Sequence, residues 1–225
     1  MLVVVAGWQF GHQSARAQSM DLQKALSAMD ASSAKFRDVQ ADITVDNYTA
    51  VVQDHEIQKG TTAFRRVNGA MEMVTHLSAA TGGPATDLLY KNGELDYYLP
   101  ATKQETIFSA GANRQEYDSL LATGFGDSGK ALSAAWTVTF QGMETIDGVS
   151  TAKLDLVSKD AKTRSYFSHV TIWVDLNRDI SMMQVMTQPD GDSRTVTYSK
   201  VRYNASLPGS LFTLHLASGT QVQHR

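Results

Sequence analysis

The stretch Gly124-Phe125-Gly126-Asp127-Ser128-Gly129-Lys130-Ala131-Leu132 comes closest in this chain to a known catalytic spacing. As a phosphate-binding loop it has Gly124, Gly129 and Lys130 at the right intervals, but Ala131 stands where a hydroxyl must hold magnesium. It also follows the helix-like EYDSLLATG rather than a buried strand. As a nucleophile elbow around Ser128 it fails because Gly129 comes one place early. Neither a nucleotide site nor a hydrolase geometry follows. The same residues suit a junction between helices. Gly124 can end one helix in a left-handed conformation, and Asp127 or Ser128 can accept the free N–H groups of the next, KALSAA.

Other chemistry is weaker still. Asp175-x-Asn177-x-Asp179 opens like a calcium loop, but Ile180 replaces the required glycine and Met186 the bidentate glutamate, so a polar hairpin turn is expected. The histidines at 12, 55, 76, 169, 215 and 224 include no i, i+4 helical pair, and His169 and His215 are expected to alternate outward on strands. An esterase built on Ser128 would need a histidine and an acid beside it, which the sequence does not support, so no enzyme, cofactor or metal is expected. The absence of cysteine excludes disulfides, thiolate metal sites, a thiol nucleophile and a lipid anchored through cysteine.

The elements that position these residues follow from length and pattern. At 225 residues, with no internal repeat and no Pro-rich linker, one domain over 18–225 is expected. A net charge of −3 from interspersed residues gives no attraction to nucleic acid, and a monomer is expected. The apolar run Leu2 to Phe10 followed by Ala15-Arg16-Ala17 reads as an export signal over 1–17 cut before Gln18, although no Lys or Arg precedes the run. A buried strand is the alternative for that run. Export without disulfides points to a bacterial periplasm.

From Asp21, the residues Leu22, Leu26, Met29 and Phe36 predict one amphipathic helix to about Phe36, with Ser33 as the gap in its stripe. After Gln40 the period changes to two. Turn signals at Asn68-Gly69, Asn92-Gly93, Asp147-Gly148, Asn177 to Asp179 and Asp190 to Asp192 divide the chain into antiparallel hairpins. The alternation of Trp136, Val138 and Phe140, of Leu154 and Leu156, of Val170, Ile172 and Val174, of Val196 and Tyr198, and of Phe212, Leu214 and Leu216 predicts a sheet apolar on one face. Such a sheet curls around its apolar side. The helix from Asp21 and a helical pair from about Asn113 to Ala135 are available to cover it.

The expected fold is mainly β with α, a partly open antiparallel barrel under a helical lid, enclosing an apolar cavity suited to an acyl chain. The residues expected to face that cavity are Phe36, Ile43, Val45, Phe64, Met71, Met73, Leu89, Trp136, Val138, Phe140, Leu154, Ile172, Val174 and Met183. Met71, Met73, Met182, Met183 and Met186 would either adapt to variable acyl groups or serve as ordinary core filling. Arg65 and Arg66 end the strand TAFRR, as an exposed pair or as rim donors to lid residues or a ligand carbonyl.

The motifs KFRDVQADITV, EIQKGTTAFRRVNGAMEM, LLYKNGELDYYLPATKQ and VTIWVDLNRDISMMQV, in that order after an export signal and one helix, resemble the periplasmic outer-membrane lipoprotein carrier family of the LolA type. The resemblance covers about Asp21 to Leu216. It implies an unclosed β half-barrel with a helical lid that chaperones acylated lipoproteins, or a related lipid, from an inner-membrane exporter to an outer-membrane acceptor. In the family a strand ends in basic-Arg-Pro-Asn and its arginine latches the lid. The matching positions are Arg65, Arg66, Val67 and Asn68, so Arg66 is the implied latch, and Val67 departs from the proline. Lack of cysteine resembles the soluble carrier rather than the anchored receptor. The helical pair around Gly124 is longer than the simplest carriers have. A lipid- or lipoprotein-sensing regulatory domain of the same fold is the alternative.

Overall fold

The computed structural model describes residues 10–82, 84–111 and 123–225, with side chains from Asp21 onward. A helix, α1 (Phe10–Ser33), leads into a six-stranded meander: β1 (Asp38–Thr49), β2 (Asp54–Val67), β3 (Ala70–Ala79), β4 (Ala85–Lys91), β5 (Glu94–Leu99) and β6 (Gln104–Ser109). A short helix α2 (Gly129–Ala135) follows, then β7 (Trp136–Ile146), β8 (Val149–Ser158), α3 (Ala161–Tyr166), β9 (His169–Asp175), β10 (Ile180–Thr187), β11 (Ser193–Tyr203) and β12 (Gln221–His224).

The strands form one sheet in the order β12-β6-β5-β4-β3-β2-β1-β11-β10-β9-β8-β7. The two meanders join where β1 pairs β11, and the outer strands β7 and β12 do not meet, so the barrel stays open. The hairpins fall where the turn residues predict them. Asn68 and Gly69, Asn92 and Gly93, and Asp147 and Gly148 all have positive φ, the conformation a tight two-residue turn requires and Asn, Asp and Gly tolerate. The fold is an unclosed antiparallel half-barrel with a helical lid, as expected.

Register explains which face is apolar. Val39 pairs Phe64, Phe64 pairs Met73, and Met73 pairs Tyr90, giving one buried row across β1 to β4. A second row runs from Phe140 through Leu154 to Ile172 across β7 to β9. These rows belong to two inner clusters, with Met186 packed against both. Full burial of each such side chain contributes about 1.5–3 kcal/mol, so covering this face is the main stabilising term. Helix α1 covers the second row with Leu22, Ala25, Leu26 and Met29, one turn apart.

Four expectations need correction. Helix α1 begins at Phe10 and ends at Ser33, and Phe36 lies beyond it in the turn to β1, where Phe36 N–H donates to the Ser33 carbonyl. The run Phe212, Leu214 and Leu216 is not a strand, and His215 lies within it. Its backbone crosses the outer face of the sheet after a 3-10 turn at Gly209–Leu211, and Phe212 is fully buried against Ala63, Val74 and Leu89. This crossing supplies the long connection that parallel pairing of β12 with β6 requires, a strand the sequence pattern does not reveal.

Leu89 therefore sits on the outer face, because a residue one place from the inward Tyr90 must point the other way. Met183 also faces outward, opposite Trp173. Along β10 the inward positions are Ile180, Met182 and Met186, of one parity, so Met183 between them points outward. The first helix expected in the pair from about Asn113 lies outside the described residues, as does the start of the expected export signal.

Replacing Phe212 by alanine should destabilise the fold by about 3 kcal/mol through the cavity left on the outer face. Thermal unfolding checks this.

Candidate functional site

The segment Thr123 to Gly129 closes over the concave face. Its backbone behaves as a short extra strand against β10: Phe125 bridges Ile180, Ser181 N–H donates to the Gly124 carbonyl at 2.5 Å, and Gly126 N–H donates to the Asp179 carbonyl at 2.9 Å. The Gln184 side-chain amide donates to the Thr123 carbonyl at 2.6 Å. Ser128 caps α2 by accepting from Ala131 N–H at 3.0 Å, and that is how its hydroxyl is used.

Phe125 is carried by this segment into the half-barrel. It is 2% exposed, stacks on Phe64 at 4.0 Å between ring centroids, and meets Tyr198 edge-on at 4.9 Å. An aromatic side chain flanked by two glycines thus plugs the inner face. Both glycines are required: a Cβ on Gly126 would lie 2.6 Å from the Phe36 ring, and one on Gly124 would lie 2.0 Å from Ser181 Oγ, each at positive φ.

Polar bonds hold the lid shut. Arg66 donates through Nη1 to the Ser33 carbonyl at 3.0 Å and through Nη2 to the Gly126 carbonyl, with its guanidinium 5.6 Å from the Phe36 ring centroid. Ser33 Oγ donates to the same Gly126 carbonyl at 2.6 Å, and Ser32 Oγ donates to the Leu176 carbonyl at 2.7 Å. The end of α1, the Gly126 loop, the end of β2 and the turn after β9 therefore meet at one point. Arg65, by contrast, turns outward to Glu72 and lies over the Phe212 ring.

Beneath this clasp lie two carboxyl groups. Asp179 is 0% exposed, and neither of its side-chain oxygens has a hydrogen-bond partner among the described residues. Burial pushes it up to about 8, the nearby Asp127 adds to the rise, Arg66 opposes it and Asp30 reinforces it. Burial likewise pushes Asp127 up to about 7, against the pull of Arg66. Both groups thus hold a proton in the folded protein at pH values where the unfolded chain has released it.

Of the residues expected to face the cavity, Phe36, Ile43, Val45, Phe64, Met71 and Met73 lie in the inner cluster under Phe125. Trp136, Leu154, Ile172 and Val174 lie in the cluster under α1, with Val138 and Phe140 packed against it. Leu89 and Met183 are elsewhere, as described. The sequence reading missed Phe125 and Asp179. The gap at Ser33 in the helical stripe was the available signal for the clasp. Among the described residues no group of three or more His, Cys, Asp and Glu side chains is placed to hold a metal ion, and no helix is long and apolar enough to cross a membrane.

No protein-family model and no curated protein sequence matches the chain. Solved structures do match. An uncharacterised conserved protein from Thermus thermophilus superposes with a TM-score of 0.55 at 12% identity, covering 91% of this chain and 99% of that one. MucB superposes with a TM-score of 0.51 at 10% identity, covering 87% of this chain and 63% of MucB, so this chain spans less than two thirds of it. A LolA superfamily protein, NE2245 from Nitrosomonas europaea, matches at a TM-score of 0.41 and 13% identity, over 86% of this chain and 97% of that one. The chain shares its half-barrel architecture with the Thermus thermophilus protein and MucB. At these identities the likeness is one of architecture, and what this half-barrel binds has to be argued from its own residues.

Because Asp127 and Asp179 take up protons on folding, their contribution is fully present below about pH 4 and is lost as pH rises through 7 to 8. Asp179→Asn, at a positive-φ position that asparagine tolerates, removes one of these charges. The wild-type melting temperature should fall by several degrees between about pH 6 and pH 9, and that of the variant should fall clearly less. An equal fall in both proteins would mean that Asp179 does not titrate in this range.

Proposed function

We propose that this protein is a periplasmic carrier that shelters acyl chains of lipoproteins, or of a related lipid, against the concave face of its half-barrel and passes them on toward the outer membrane. The observation that carries the reading is the way the inner face is covered. Helix α1 covers the β7 to β9 part of the apolar surface, and among the described residues the rest is plugged by one aromatic side chain, Phe125, on a segment held by a few polar bonds centred on the Gly126 carbonyl. A permanent core would gain nothing from a cover fastened so locally. A binding surface needs a cover that can be displaced, and an acyl chain replaces the plug at about 0.8 kcal/mol per buried CH2.

In this reading Arg66 is the lid latch, and opening exchanges its two carbonyl partners for water. Binding depends on buried area, so release needs an acceptor that holds the chain more strongly, and loading needs a donor at the inner membrane. No catalytic step is required, and Ser128 serves only to start α2.

The test is native mass spectrometry with lipid extraction on protein from a periplasmic fraction, followed by titration with a fluorescent long-chain acyl probe. Copurified acylated peptide or lipid is expected. Phe125→Ala should lower stability by about 3 kcal/mol and yet bind the probe about tenfold more tightly, because the probe fills the vacated space. Ile172→Asp, which places a charge on the inner face, should lose probe binding. A protein that is empty and takes up no probe overturns the carrier reading. One that binds lipid and then associates with a membrane protein instead of surrendering its ligand would be the sensing domain of the alternative.

A further inference from the structure

The inner face is not uniformly apolar. On β11 the residues Arg194, Val196 and Tyr198 alternate toward the same side, and Val196 and Tyr198 belong to the inner cluster. Arg194 pairs across to Asn47 on β1 and to Met186 on β10, near the end of β11 that begins it. It is half-buried, and desolvation disfavours its charge, with the buried phenol of Tyr198 as its electrostatic neighbour.

Apart from Arg225, which is exposed at the end of the chain, the other arginines whose side chains are described show what this protein does with a guanidinium. Arg65 pairs with Glu72 and Arg178 with Asp175, Arg202 donates to Gln40, and Arg37, Arg66 and Arg164 donate to backbone carbonyls. Arg194 makes no hydrogen bond and no ion pair among the described residues. A guanidinium partly withdrawn from water and left without an acceptor is a ready partner for an arriving anion, which restores the interactions that desolvation removes. Its fork of N–H donors matches the two oxygens of a carboxylate or phosphate.

We propose that Arg194 is the headgroup site of the half-barrel and that the ligand is an amphiphile with an anionic carboxylate or phosphate head, its acyl tail running from Met186 along the inner face. Met186, the direct neighbour of Arg194, packs against both inner clusters and so begins an apolar path to either. The inference rests on the carrier reading and narrows its ligand to lipids that carry a negative head.

The test is calorimetric titration of the full chain, wild type and Arg194→Met, with three probes: palmitate, its neutral glyceryl monoester, and inorganic phosphate. The substitution replaces a desolvated charge by an apolar side chain of similar length, so the variant should fold. Palmitate should bind the variant about tenfold or more weakly, the neutral ester should change by less than about twofold, and phosphate alone should bind neither protein measurably. Arg194→Lys should recover part of the palmitate affinity. Equal effects on palmitate and ester, or no effect on either, overturn the headgroup site and leave the carrier reading intact. Phosphate binding as tightly as palmitate makes Arg194 a site for free anions and also overturns the proposal. Failure of both palmitate and ester to bind the wild type overturns the carrier reading and this inference with it.

Discussion

The carbonyl of Gly126 is the acceptor on which the closed form depends. It receives Arg66 from the end of β2 and Ser33 Oγ from the end of α1, while Gly126 N–H reaches the turn before β10. One glycine residue therefore ties together three elements far apart in sequence. It can do so because Gly126 has no side chain, which lets the Phe36 ring and the Arg66 guanidinium come within reach of its backbone. With that residue in place, Phe125 is aimed at Phe64 and Tyr198 and covers the part of the inner face that α1 leaves open.

The strength of this arrangement is modest by nature. Hydrogen bonds to a charged donor contribute about 1.5–3 kcal/mol each, small beside the hydrophobic gain from the face they cover. The same point holds Asp179 and Asp127 out of water, and their elevated affinity for protons makes the stability of the fold decline as pH rises toward 8. Asp30 on α1 adds to the rise at Asp179, and Arg66 opposes it from β2, so the charge balance involves both the lid and the sheet. Stability of the sheet is largely separate: the outer cluster around Phe212 and the strap that carries it secure the β1 to β6 half from the other side.

Much of this was legible beforehand. Period-two alternation and Asn-Gly or Asp-Gly turns located most of the strands, because a one-residue slip would expose every inward side chain. The Ser128 cap was likewise readable from local chemistry. The misplaced residues each have a nonlocal cause. Leu89 went astray because a continuous apolar run, Leu88-Leu89-Tyr90, has no visible parity, and Met183 because the doublet Met182-Met183 hides it in the same way. Phe212 imitates a strand since alternating burial also arises when a chain crosses a sheet.

The sequence alone determined the class of fold, the sidedness of the sheet and the turns, since these depend on period and on backbone preferences that each residue carries with it. It also showed glycines where a catalytic loop was conceivable. What those glycines are for, which arginine reaches the lid, why a serine interrupts the helical stripe, and that one inward arginine has no acceptor among the described residues emerged only from the packed fold. Those properties belong to pairs of groups distant in sequence, such as Ser33 with Gly126 or Arg194 with Met186, whose meeting is set by sheet register and chain crossing.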